Sequence, residues 1–213
     1  STPAGKNTIV IVLADHGDGM GSHRMVTKQV SFYEEMTNVP FIIAGPGIHP
    51  RQKPVEDLLT QPTIDLLPTL CELAGIPVPS SKPGISLAPF LKGEKQKRQH
   101  PYAASEWHSE YEVTVSPGRM IRSPRYKYTH YLEGNGEELY DMLKDKGERR
   151  NLAHDPKYSK ILAEHRALLD DYIRRTQDDY RSLKVEADKR WRSHAPGYPN
   201  HEGPCARDII NRK

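Results

Sequence analysis

The first clear element is an unbroken apolar run, Thr8-Ile-Val-Ile-Val-Leu-Ala14, rich in β-branched residues and closed by Asp15-His16-Gly17. A run apolar on both faces predicts a buried strand of a parallel sheet. A glycine-rich stretch with Gly19 and Gly21 follows, then a short helix carrying Tyr33, Glu34 and Glu35, then a second apolar strand within Val39–Ala44. Ile64–Gly75 reads as a helix stopped by glycine, with Cys71 as a buried thiol. After a charged connection over Lys92–Pro101 the pattern changes. Tyr102–Trp107, Arg119–Arg122, Tyr126–His130 and Glu138–Asp141 are short enough for antiparallel strands, with Pro117-Gly118 and Asn135-Gly136 as turns. Ile161, Leu162, His165, Leu168, Leu169, Tyr172 and Ile173 recur at helical spacing, an amphipathic helix that should cover that sheet.

This pattern predicts an α/β protein in three parts. Residues 1–93 carry a partial mixed or parallel sheet. Residues 101–180 form a small α+β subdomain of antiparallel sheet plus one amphipathic helix. Residues 181–213 form an irregular tail, polar and rich in Pro and Gly from about Lys184.

Composition narrows the function classes. The 213 residues carry a formal net charge of +3. Residues 1–75 hold five Lys/Arg against eight Asp/Glu, and the remainder 26 against 20. The basic excess is scattered among acids, which argues against a nucleic-acid partner. A mean hydropathy of −0.75 argues against a membrane span. Two cysteines, Cys71 and Cys205, set no disulfide framework, and no leader sequence is visible at Ser1–Gly5.

The chemistry concentrates at the first strand's end. Ligands of open α/β sheets collect beyond the carboxyl ends of strands, and there Asp15 and His16 offer a carboxylate beside an imidazole, suited to a cation. The alternative is a turn whose Asp caps backbone amides. Lys28 near the next helix start adds positive charge, as does the helix N-terminus, which together describe a pocket for a tetrahedral oxyanion. Glu34 and Glu35 make an unsuitable catalytic pair, because adjacent helical residues diverge by about 100°.

These residues carry a resemblance. The stretch Ala14-Asp-His-Gly17, Gly21-Ser-His23, Lys28, Phe32-Tyr-Glu-Glu35, Val39-Pro40 and Gly45-Pro-Gly47 is similar to the formylglycine-dependent sulfatases of the alkaline phosphatase superfamily. So are Thr63-Ile-Asp65…Pro68, Ala74-Gly75-Ile-Pro77, Gly84-Ile-Ser-Leu87, Arg122-Ser-Pro-Arg-Tyr-Lys-Tyr128, Glu138-Leu-Tyr-Asp141 and Asn151-Leu152, in that family's order over residues 6–180.

The resemblance implies that Asp15 and His16 are ligands of a divalent metal, usually calcium. It implies that Lys28 contacts the sulfate and steadies the leaving oxygen, and that His23 lines the substrate pocket. His108 falls where such proteins send a loop over the site, so a substrate contact and a plain surface loop are both open. Ala14 stands where Ser or Thr is usual, and Arg24 where glycine is frequent. The nucleophile motif, Cys/Ser-x-Pro/Ala-x-Arg, and the paired aspartates that complete the metal site are missing. The expectation is therefore a C-terminal portion of a sulfatase, inactive alone, with formylglycine and the other ligands in an N-terminal half. A sulfated small molecule or glycan is the implied substrate, and a periplasmic or secreted location follows from the resemblance. A phosphoester or phosphonate hydrolase of the same superfamily, or a non-catalytic domain binding anionic glycans, are the alternatives. Arg122 and Arg125 are expected to hold acids such as Glu138 or Asp141; His130, His154, His165, His194 and His201 are assigned to structure or solvent.

Overall fold

The computed structural model describes residues 2–25, 31–55, 58–80, 83–96, 100–108, 117–132 and 136–183. The expected tail from Lys184 and the turn residue Asn135 lie outside them. The chain divides into two compact units, Ser1–Gly17 with Asn38–Ala103, and Asp18–Thr37 with Ala104–Lys213. The segment 18–37, expected beside the first strand, thus groups with the C-terminal sheet.

In the first unit, β1 (Val10–Leu13) pairs with β2 (Phe41–Ala44). The pairing is antiparallel, from Val10 opposite Ala44 to Leu13 opposite Phe41. This corrects the expectation of a buried parallel strand. A branched aliphatic run specifies an extended chain but carries no information about its neighbour's direction. Nor is the strand buried within this chain: Val10, Val12 and Ile42, side by side on one face, are 55%, 50% and 57% exposed.

Helix α2 (Pro62–Leu73) starts with proline at its first position, where no N–H is needed. It ends near Gly75, which takes a left-handed φ of 68°. Cys71 on it is half-buried rather than buried. Asp65 is fully buried and fully used: Oδ2 accepts from the Gln61 amide (2.7 Å), while Oδ1 accepts from the Ile85 amide (2.8 Å) and lies 2.7 Å from His100 Nε2. Thr69 Oγ1 accepts from the Leu87 amide at 2.9 Å. These bonds draw the chain at Gly84 so tightly onto α2 that a β-carbon there would lie 2.0 Å from the Ile64 carbonyl oxygen, at a φ of 110°. Only glycine fits. A short helix α3 (Ala88–Leu91) follows, with Arg51 stacked 4.2 Å over Phe90.

The second unit is built on a four-stranded sheet in the order β3 (Ala103–Trp107), β4 (Gly118–Arg122), β5 (Tyr126–Tyr131) and β6 (Gly136–Asp141). The four expected strands are present, and β4–β5 and β5–β6 are antiparallel. Gly118 opens β4 rather than turning the chain; Phe32 packs so close that a β-carbon would meet its ring at 2.6 Å. The amphipathic helix spans Ser159–Thr176 (α4), burying Leu162, His165 and Leu169. Arg125 ion-pairs with Asp141 at 2.7 Å as expected. Arg122 does not reach Glu138 or Asp141; it donates to the Ser123 carbonyl and lies 3.9 Å from Glu34.

His165 is one of the structural histidines. It lies between Ser123 Oγ (2.9 Å from Nε2) and the Ile161 carbonyl (2.8 Å from Nδ1), and burial pushes its pKa down. Unfolded, it takes a proton near pH 6.5; folded, it resists until lower pH. Its contribution to stability is therefore complete above about pH 6.5 and is lost as pH falls from there toward the folded pKa. Urea unfolding between pH 7.5 and 5.5 should show this decline, and His165→Gln should flatten it. An equally steep decline in the variant would remove His165 as its source.

Candidate active site

The extended run of β1 delivers Asp15 and His16 to its exposed end. Asp15 Oδ1 accepts the His16 amide at 3.0 Å, the capping role open to any turn aspartate. His16 Nδ1 lies 2.7 Å from the Gly17 carbonyl oxygen. A carbonyl accepts only, so Nδ1 carries the proton, and in the neutral ring Nε2 keeps its lone pair. That nitrogen lies 3.6 Å from Asp15 Oδ2. A carboxylate oxygen and an imidazole nitrogen at this spacing suit neighbouring positions on one divalent ion. The Gly17 bond is the kind of outer contact that orients ligating histidines. Calcium takes six to eight oxygen donors, so the pair fits as a fraction of a set. Among the described residues no three of His, Cys, Asp and Glu converge to hold a metal.

His23 stands in the second unit on a tight loop. Met20, Gly21, His23 and Arg24 all adopt left-handed backbone, with φ of 46°, 95°, 48° and 62°. Left-handed conformation costs a non-glycine residue roughly 1–2 kcal/mol, and such strain clusters at functional sites. Bonds from Gly21 N to Met25 O and from Ser22 N to Gly19 O, both 2.7 Å, hold the turn. The His23 ring lies flat on Tyr33, with centroids 3.7 Å apart and planes 2° from parallel. Its Nε2 is 3.9 Å from Glu35 Oε2, while Ser22 Oγ donates to Glu35 Oε1 at 2.5 Å. Burial lowers the His23 pKa; Glu35 opposes this, and Lys127 and Arg149 add to it. Burial also pushes Glu35 upward, but the Ser22 hydroxyl and nearby positive charge hold it below the usual range.

The segment behind His23 is pinned by a buried ion cluster that the sequence reading missed. Lys127, on β5 and 1% exposed, places Nζ 2.7 Å from Glu34 Oε1, 2.9 Å from Glu148 Oε1 and 2.8 Å from the Phe32 carbonyl oxygen. Glu148, equally buried, accepts the Glu34 amide at 2.6 Å on Oε2, and burial drives its pKa upward. Glu34 and Glu35, on the short helix α1 (Glu34–Thr37), thus point to different partners, as their spacing requires. Burial of β5 on both faces is the reason for the cluster: a lysine inside such a strand needs carboxylates.

His108 is exposed just beyond β3. The preceding Trp107 packs on Phe32, Met120 and Tyr131. Lys28 lies outside the described residues. The structure therefore brings Asp15 and His16 together in one unit, and places His23 and His108 in the other.

A family model described as N-sulphoglucosamine sulphohydrolase, C-terminal, matches residues 21–175. The chain belongs to that family.

It is 76% identical over all 213 residues to a Delta 4,5-hexuronate-2-O-sulfatase of Bacteroides thetaiotaomicron, covering 44% of that protein. A solved 2-O glycosaminoglycan sulfatase superposes with a TM-score of 0.88 at 77% identity, over 98% of this chain and 45% of the other. A sulfatase solved with D-glucosamine-2-N,6-O-disulfate matches at 26% identity and a TM-score of 0.71, over 84% of this chain and 37% of its own. The chain spans less than half the length of these relatives.

Proposed function

We propose that the chain is the C-terminal part of a sulfatase that removes 2-O-sulfate from unsaturated hexuronate units of glycosaminoglycan fragments. The identity with a hexuronate-2-O-sulfatase along the whole chain carries this reading.

Asp15 and His16 supply one oxygen and one nitrogen ligand to a divalent cation, with calcium as the candidate. When bound, the cation supplies positive charge at the sulfate oxygens, and a formylglycine from the N-terminal half supplies the nucleophile. Lys28 offsets charge that builds on the leaving oxygen. His23 faces the anionic substrate, and His108 contacts the sugar from the loop after β3. The N-terminal half is the partner that this reading requires, and the exposed apolar face of Val10, Val12 and Ile42 is the surface for it to cover. A periplasmic or secreted location is proposed, from the family resemblance.

The test is sulfate release from a 2-O-sulfated unsaturated hexuronate disaccharide by the full-length protein. Lys28→Ala should lower kcat/KM at least about tenfold. Turnover unchanged by that substitution removes Lys28 from the mechanism. Preference for a phosphonate or phosphate ester over the sulfate would replace the proposed reaction with its superfamily alternative.

A further inference from the structure

We propose that Glu35 is a positioning residue for His23, holding its ring in the orientation in which it meets an incoming anionic ester. The inference rests on the reading of His23 as a substrate-facing residue.

The geometry fixes the ring in two ways. Tyr33 is 3% exposed and anchored in a core cluster with Met25, Met36, Tyr140 and Met142. A ring stacked on it at 3.7 Å cannot tilt without leaving that face. Rotation within the plane is left to a polar partner, and Glu35 Oε2, 3.9 Å from Nε2, is positioned for it. Glu35 is itself held, since Ser22 Oγ occupies its other oxygen at 2.5 Å. Ser22 and His23 are adjacent in the strained loop, so the left-handed turn that lays the ring on Tyr33 also brings the hydroxyl onto the carboxylate. A 3.9 Å gap is an ion-pair distance rather than a hydrogen bond. It attracts the protonated ring without committing it to Glu35.

The electrostatics agree with this geometry. Among the described residues, Glu35 and Asp145 favour the protonated form of His23, and Lys127 and Arg149 oppose it together with burial. Glu35 is the strongest of the favourable groups. Without it the ring stays neutral to lower pH, and an incoming sulfate meets no added positive charge.

The experiment uses the full-length protein with histidines labelled for NMR. Glu35→Gln should lower the His23 pKa and move the corresponding limb of the kcat/KM profile to lower pH. It should cost at least about tenfold in kcat/KM near neutrality, with the loss shrinking as pH falls. Glu35→Asp keeps the charge but draws it back, so it should move both readouts the same way by less, and serves if the Gln variant does not fold. A structural role alone would lower activity at every pH and leave the His23 titration in place, and that result overturns the inference. If His23→Ala leaves sulfate release intact while Glu35→Gln still moves the titration, the coupling stands and the substrate-facing reading of His23 falls.

Discussion

Lys127→Met destabilises the C-terminal unit by about 3–5 kcal/mol, the range for removing one partner of a buried ion pair. Its Nζ serves Glu34, Glu148 and the Phe32 carbonyl together. Methionine fills the space, so packing is nearly kept while the charge is lost. Glu148, at 1% exposure, is then left with its carboxylate uncompensated, and burial already drives it toward the protonated form. The Phe32–Thr37 segment, which carries Tyr33 and Glu35, loses its anchor to β5. Adding Glu148→Met to Lys127→Met should recover part of the loss, because the stranded carboxylate is gone. Urea unfolding of the two variants checks this; a loss below about 1 kcal/mol for Lys127→Met would mean the cluster is well solvated in solution.

The second large effect is at the other unit. Asp15→Ala in the full-length protein lowers sulfate release by at least about a hundredfold, the scale on which charge-stabilising groups act. The physical case is the arrangement of His16: its Nδ1 proton is committed to Gly17, its Nε2 is turned toward Asp15 Oδ2, and the two atoms stand 3.6 Å apart. Removing Asp15 leaves an imidazole and no hard oxygen donor from this strand, a poor residue of a calcium site. The simpler capping role predicts a loss of stability of about 1 kcal/mol and turnover close to wild type. Sulfate release and thermal unfolding on the same variant separate the two.

The sequence exposed much of the architecture because local patterns carry it. The four strands of the C-terminal sheet follow from short segments bounded by turn residues, and α4 from helical spacing, which depends on burial of one face. The direction of β1 was illegible for a physical reason: Val10–Leu13 is apolar on both faces, so nothing in it selects a parallel or antiparallel neighbour. The grouping of 18–37 with the C-terminal sheet was also hidden. It depends on Lys127 meeting Glu34 and Glu148 across 93 and 21 residues of sequence, a separation over which charge pattern has no fixed period. Asp15, His16 and His23 could be picked out because they sit in a motif. Their supporting residues Ser22, Tyr33 and Glu35 could not, since stacking and a 3.9 Å ion pair arise from a left-handed loop that no hydropathy pattern announces.

In the intact protein the end of β1 should contribute two ligands to a bound cation. Calorimetric titration of calcium into the metal-stripped full-length protein, set against Asp15→Ala and His16→Ala, tests it directly. One tight site is expected in the wild type, with at least about tenfold weaker binding in each variant. Equal affinity in all three proteins would contradict a ligand role for Asp15 and His16.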